Sequence, residues 1–310
     1  MKRWVSYGNK LMAIVVILST IVAIFLPQFL PSANIQDYMV HYLLILILSG
    51  FIGLIISNKT ILYVSFGCAA VLAFFLKGAS NSELKNPMFK HAAHFKIVHL
   101  NLSLITEVGD LQKIIGDSTV DVISLQEYTP DWENIIPFLM KEKFSYEFQN
   151  VQMDLHGKAI FSRHPFLSNK VLTFGNSPNL EADFIIHADT LSIISSYLTP
   201  ALNAHSSSAA KVELASMTDY INSHPHVKLV LGEFNQVYWS HDILEFRSKT
   251  KLLNSRRNID PTALKVPYDH IFFKKDLECY QFSELNDNTG QHIGCTASFQ
   301  FKTDFHKMSK

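Results

Sequence analysis

The sequence predicts an α/β (α+β) four-layer sandwich, two mixed β-sheets stacked face to face with helices outside, preceded by three transmembrane helices. Three observations point there. The first 76 residues contain three successive apolar runs. From residue 95 onward, short apolar segments of strand length alternate with polar stretches of helical period. Strands also outnumber long helices, which fall between them. A chain of 310 residues with 48% hydrophobic content accommodates one sizeable domain plus such an anchor.

The anchor comes first. Residues 11–26 carry no charge, and the run continues to Leu30 across Pro27. A second run covers 39–56, interrupted only by His41 and Tyr42, and a third covers 61–76. The predicted spans are therefore about 11–30, 39–56 and 61–76, each near the ~20 residues a helix needs to cross a bilayer. A signal peptide would be one such run with a cleavage site. Amphipathic core helices would show a polar face, which these lack. Lys2, Arg3 and Lys10 precede the first span, the loop 27–38 has no Lys or Arg, and Lys59 sits in the second turn. Basic residues favour the inner side, so the N-terminus is expected inside and everything after the third span outside.

Residues 77–94 (KGASNSELKNPMFKHAAH) read as a linker, and 95–310 as the folded domain. Within it, strands are expected at 96–102, 120–125, 159–162, 191–197, 228–231, 268–273, 278–282 and 294–301. Helices are expected at 110–117 and 207–223, the latter with Ala210, Leu214, Met217 and Ile221 on one face. Pro130 and Trp132 open another, and a short one covers 239–246. Residues 91–310 hold 20 Lys and Arg against 25 Asp and Glu, a net of −5. Duplex binders usually present a basic face to phosphates, so tight non-specific nucleic-acid binding is disfavoured. Cys279 and Cys295 lie in late strands, and an extracytoplasmic compartment would permit a bridge between them, with two free core thiols as the alternative.

Candidate chemistry sits at strand ends. Asn101 ends IVHLNLS, and Glu127 follows VISLQ into a turn at Thr129 and Pro130. Glu233 and Asn235 follow the apolar LVLG and, two apart in extended chain, point the same way. His292 lies between Gly290 and Gly294, and Asp269 opens a strand from which it can accept a hydrogen bond from an imidazole. A carboxylate, an asparagine and a histidine gathered at strand ends can hold one divalent cation and activate water. Asn254-Ser255-Arg256-Arg257 lies between two of these segments, and paired arginines there either clamp a phosphate or form an ordinary solvated pair. His205 and Ser206 read as a helix cap.

Taken in order, these segments resemble the endonuclease/exonuclease/phosphatase (DNase I-like) superfamily over residues 95–302. The N-x-N or N-x-D motif appears as Asn101-Leu102-Ser103, and the Q-E motif as Gln126-Glu127. The G-x-A-I-x-S-R-x-P stretch runs from Gly157 to Pro165, G-D-F-N becomes Gly232-Glu233-Phe234-Asn235, and D-H-I-F stands at Asp269–Phe272. A Trp239-Ser240 pair follows, and the terminal S-D-H becomes Gly290-Gln291-His292. The three spans are similar to a bacterial membrane-anchored branch of the family, which implies an inner-membrane, extracytoplasmic location.

The resemblance implies that Glu127 binds Mg²⁺ or Mn²⁺, that Asn101 and Asn235 orient phosphate oxygens, and that Glu233 positions or deprotonates water. It implies that His292, held by Asp269, donates to the phosphoryl group. Tyr197 stands where the family has a strand-end His, Glu233 replaces an Asp, and Gln291 replaces an Asp that ligates metal in relatives. The implied function is a membrane-anchored, metal-dependent phosphoesterase that hydrolyses a phosphodiester, or a phosphomonoester, by metal-assisted attack of water. Its partners are the bilayer and a phosphate ester, lipid-linked by proximity, with a nuclease or a catalytically impaired binding or sensor module as alternatives. No protein partner is implied.

Overall fold

Pro27 sets the first boundary. The residue before a proline disfavours helical geometry, and helix α1 (Lys2–Phe25) ends two residues short of it. The computed structural model describes residues 2–26, 33–81, 94–186, 189–256, 264 and 266–302. The chain falls into two compact units. One gathers Met1–Ser82, Gln236–Leu244 and Asn258–Pro267, and the other Glu83–Asn235, Glu245–Arg257 and Tyr268–Lys310.

In the first unit, α1 is followed by α2 (Met39–Ile55) and α3 (Lys59–Ala79). Asn58 caps α3 by accepting from the backbone N–H groups of Thr60 and Ile61. Hydroxyls of Ser19 and Thr20 on α1 lie 2.7 and 3.1 Å from the Tyr42 hydroxyl on α2, a polar tie of the kind that joins helices in apolar surroundings. Leu11, Ile14 and Leu18 on α1, Ile55 on α2 and Phe74 on α3 stand exposed. All three helices are long and apolar enough to cross a membrane by length and composition. The third continues three residues past its expected end, into the segment read as linker. Most of that linker, 82–93, lies outside the described residues, as do 27–32 of the first loop. In the same unit the Trp239 indole N–H donates to the Gln36 carbonyl at 2.8 Å, and the His241 N–H to Gln36 Oε1 at 2.9 Å.

The second unit begins with β1 (His94–Asn101), α4 (Val108–Gly116), β2 (Val122–Gln126), the short helices α5 (Pro130–Glu133) and α6 (Ile136–Met140), β3 (Tyr146–Asn150) and β4 (Lys158–Ser162). A second series follows: β5 (Phe166–Phe174), β6 (Ser177–Ile186), β7 (Asp189–Tyr197), α7 (Ala204–Ser223) and β8 (Val227–Glu233). Helix α8 (His241–Thr250), β9 (Leu252–Asn254), β10 (Asp269–Lys274), β11 (Leu277–Asn286) and β12 (His292–Phe301) complete the chain. One six-stranded sheet has the order β11-β12-β1-β2-β4-β3 and the other β5-β6-β7-β8-β10-β9. Each is mixed, because β1–β2 and β7–β8 are parallel while their neighbours are antiparallel. This is the expected pair of mixed sheets flanked by helices.

Alternation along the strands builds two cores. Phe95 and Ile97 on β1 join Ile193, Leu229, Leu231, Ile271 and Phe299 between the sheets. Val98 and Leu100, pointing the other way, join Leu111, Ile115, Ile136 and Met140 under the outer helices. Asn203 and Ser206 form a reciprocal capping box that starts α7, as the polar helix entry suggested. Four strands escaped the sequence reading: β3, β5, β6 and β9. Most side chains of β5 face solvent, so it has no apolar run to reveal it.

Cys279 and Cys295 are free and buried. Register explains why they do not pair. Cys279 lies opposite Phe299, and Cys295 opposite Glu284, which leaves them about four residues, or ~13 Å, apart along the ladder. A disulfide needs Cα atoms within about 7 Å.

Candidate active site

Strand direction brings the chemistry to one end of the sandwich. Strands β1, β2, β7 and β8 run toward that end and finish with Asn101, Gln126, Tyr197 and Glu233. Strands β10 and β12 run away from it and begin with Asp269 and His292. Register does the rest: Asn101 lies opposite Gln126, and Glu233 lies opposite both Tyr197 and Asp269.

Backbone exits at this end are unusual. Glu127 and Asn235 both adopt positive φ, 56° and 50°, a costly region for residues other than glycine. Gly232 has φ 141°, and a Cβ there would lie 1.8 Å from the Ser196 carbonyl, so only glycine lets β8 pass β7 before Glu233. Gly294 serves likewise beside β1, where a Cβ would lie 2.0 Å from the His99 carbonyl.

Asn101 bridges the two sheets. Its amide nitrogen donates to Glu127 Oε1 at 3.0 Å and to Glu233 Oε2 at 2.7 Å. Its oxygen accepts from both the backbone N–H and the hydroxyl of Ser103, at 3.0 and 2.9 Å, which fixes the amide's orientation. Ser103 therefore orients Asn101. Two carboxylates share one neutral donor here. Burial first, then Asp269 and Glu127, push the Glu233 carboxyl up to about 7. Gln126 Oε1 accepts from the Glu233 backbone N–H at 3.4 Å. Asn235 spends one amide hydrogen on the Leu198 carbonyl at 2.8 Å, steadying the loop after Tyr197. Burial, followed by the Glu233 charge, pushes the Tyr197 hydroxyl above its ordinary range, so it is a hydrogen-bond donor rather than a proton shuttle.

The other side of the site is an imidazole between carboxylates. His292 Nε2 lies 2.5 Å from Asp269 Oδ2, and Nδ1 lies 2.7 Å from Glu284 Oε2. Burial acts to raise the Asp269 carboxyl, but the His292 hydrogen bond and the His99 ring outweigh it and the net shift is down. Arg256 pairs with Glu284 and donates to the Asp269 carbonyl at 2.9 Å. It was expected on a loop, as a phosphate clamp or a solvated surface residue. Instead it is 3% exposed, and its guanidinium is turned inward. Arg257 lies outside the described residues.

Glu284 and Lys158 escaped the sequence reading. Lys158 faces Gln126 across the β2–β4 ladder, and its ammonium donates to the Pro178 and His156 carbonyls at 2.7 and 3.1 Å. Burial lowers its pKa to about 7. A lysine opening the fully buried strand KAIFS is the available signal. Gln291 is exposed and offers no carboxylate. Elsewhere, ligand atoms of Glu181, Asp183 and His226 lie within 4.8 Å of one another. That group sits toward the start of β8, at the opposite end from Glu233. Lys170 lies 3.4 Å from Glu181 and already supplies a positive charge there.

The Endonuclease/Exonuclease/phosphatase family matches residues 100–291. The chain belongs to this family. Comparison with curated proteins gave no match. Among solved structures, a family member from Beutenbergia cavernae superposes with TM-score 0.54 at 11% identity, covering 67% of this chain and 72% of its own. One from Bacteroides thetaiotaomicron gives 0.54 at 11% identity, covering 69% and 100%. D. rerio TDP2, complexed with single strand DNA product, gives 0.52 at 15% identity, covering 67% and 99%. At these identities the likeness is one of fold. Members of the family are typically metal-dependent phosphoesterases and nucleases.

Proposed function

We propose that this chain is a divalent-metal-dependent phosphoesterase, tethered to a membrane by α1–α3, which cleaves a phosphodiester by attack of water. The observation that carries this reading is Asn101 holding Glu127 and Glu233 at 3.0 and 2.7 Å, at the same sheet ends as the Asp269–His292 pair.

The donor set fits a hard cation. Two carboxylates converge on one amide, among the described residues no basic side chain pairs with either, and Mg²⁺ or Mn²⁺ takes oxygen ligands. Glu127 would hold the ion, which when bound neutralises charge developing on the phosphoryl group. The remaining work belongs to the chain. Glu233, at about 7, accepts a proton from attacking water near neutral pH. Asn101 and Asn235 orient oxygens, and Tyr197 donates a hydrogen bond. His292, fixed by Asp269, donates a hydrogen bond or proton at the phosphoryl group.

Three apolar helices favour a substrate at the bilayer, such as a lipid-linked phosphate ester. Residues 236–244, which follow Asn235 in sequence, belong to the same compact unit as those helices. Lys2, Arg3 and Lys10, which precede the apolar run of α1, favour an extracytoplasmic domain at an inner membrane, and a reporter fused after Lys310, active only outside the cytoplasm, tests that orientation. A nuclease is the second reading, favoured by the DNA product in the D. rerio structure and opposed by the net charge of −5 over residues 91–310. The deciding experiment measures hydrolysis of an aryl phosphodiester, the matching monoester, phospholipids and single-stranded DNA by the detergent-solubilised chain. Mg²⁺, Mn²⁺ and EDTA are compared, alongside His292→Ala. Metal-dependent turnover lost in the variant is the expected result. A folded protein inert on every substrate would point to a binding or sensor module.

A further inference from the structure

We infer that Glu284 and Arg256 are a positioning pair for His292, holding its second ring nitrogen so that the ring carries a proton on both nitrogens and acts as a fixed cation. The inference rests on the phosphoesterase reading for its catalytic consequence, though its geometry stands alone. A neutral imidazole has one donor and one acceptor nitrogen. Here both nitrogens face carboxylate oxygens, Asp269 at 2.5 Å and Glu284 at 2.7 Å, and an acceptor nitrogen against a carboxylate would be repelled.

Arg256 sets its guanidinium against Glu284, an arrangement that favours the ionised carboxylate. The two side chains are nearly enclosed, at 4% and 6% exposure, and Arg256 also binds the Asp269 carbonyl at 2.9 Å. An enclosed carboxylate left without that guanidinium would tend to take up a proton. The arrangement reads Arg256–Glu284–His292–Asp269, with charges alternating in sign. Other titratable groups around the ring are His99 on β1, kept neutral chiefly by burial, and Glu233 on β8, near its own midpoint at neutral pH. His292 itself remains 26% exposed, so its charge reaches the surface at this end of the sheets while both its N–H groups are engaged. Such a ring stabilises a departing oxygen electrostatically, and it releases a proton only if a carboxylate lets go.

Ring nitrogens report this directly. Nitrogen-15 spectra of histidine-labelled full-length protein in detergent at pH 7.5, with His292 assigned by its loss in His292→Gln, distinguish doubly from singly protonated rings. Both His292 nitrogens are expected to carry protons in the native chain. In Glu284→Gln the amide can donate to Nδ1, so that nitrogen should lose its proton. The value of kcat should then fall about tenfold while KM moves less than twofold. Arg256→Lys, which keeps the charge, should retain the double-protonation signature. A bare nitrogen in the native ring, or a Glu284→Gln ring that keeps both protons, overturns the inference. The native spectrum needs neither turnover nor a folded variant. A chain without phosphoesterase activity therefore defeats the function above while leaving the ring measurement to decide this one.

Discussion

The site has two halves with opposite electrostatic habits. On one side, Glu127 and Glu233 share a single neutral amide, and the strain shows in a Glu233 carboxyl pushed up to about 7. On the other, His292 lies between the Asp269 and Glu284 carboxylates, Arg256 pairs with Glu284, and Asp269 is held below its ordinary range despite its burial. Both halves are built from strand ends of the same two sheets. One is left short of positive charge and the other supplies its own. On the proposed reading, an external cation belongs to the first half.

That contrast is broken most severely at Glu127. Glu127→Ala should reduce metal-dependent turnover by about a thousandfold or more, to the level seen in EDTA. It should also abolish the rise in Tm that Mg²⁺ or Mn²⁺ gives the native chain, since a ligand that binds the folded state stabilises it. If the Tm shift survives in Glu127→Ala, the cation sits elsewhere, and the Glu181–Asp183–His226 group becomes the place to look.

Asp269→Asn tests the self-sufficient half. Turnover should drop about a hundredfold, because an amide cannot fix the imidazole and balance its charge together. The cation-induced Tm shift should persist. Stability supplies a second signature. The folded carboxyl titrates below its unfolded value, so its contribution is present above the unfolded pKa and lost as pH falls through the folded one. Native protein should lose Tm more steeply than the variant below about pH 4. Equal slopes would mean that Asp269 is not held down in solution.

The sequence disclosed the parts of this comparison unevenly. Asn101, Glu127, Glu233, Asp269 and His292 were visible because each interrupts or ends an apolar run, where a buried strand meets solvent. The parallel strands, apolar on both faces, showed for the same reason. The members that balance charge did not show. Glu284 lies in LECYQFSELN, which reads like a half-solvated strand, and only the β11–β12 register brings it beside His292. Arg256 reads as a surface residue until Glu284 is placed against it. Strands β5 and β6 form a hairpin in which β5 faces solvent and β6 buries the polar Asn179 and Glu181 among its apolar residues, so neither shows a clean period. Tertiary register carried this information, and local pattern did not. The unpaired Cys279 and Cys295 teach the same lesson.

Glu233→Asp probes how closely the acidic half is tuned. Family motifs carry Asp at this position, so restoring it would naively improve the site. The structure argues the reverse. Glu233 Oε2 reaches Asn101 at 2.7 Å, and shortening the arm by one methylene withdraws the carboxylate by about 1.5 Å. The hydrogen bond across the sheets is then lost, and misplacement on that scale is kinetically costly. Turnover should fall about tenfold. An increase would show that the backbone around Glu233, between the positive-φ residues Gly232 and Asn235, can follow the shorter side chain.

The smallest effect concerns Lys158, which borders both halves without joining either pair. Its folded pKa of about 7 lies below the ordinary lysine value, so between about pH 7 and 10 the unfolded chain binds the extra proton. Stability should therefore rise with pH across that window. Above it, Tyr128 and Tyr197 act in the other direction, because burial raises both hydroxyls and the folded chain then holds more protons. Lys158→Met should flatten the rise between pH 7 and 10, as measured by urea midpoints in metal-free buffer. It should also lower stability slightly at every pH, because the Pro178 and His156 carbonyls lose their donor. A slope unchanged in Lys158→Met would show that the ammonium finds water in the folded protein, and that the base of the site is wetter than its packing indicates.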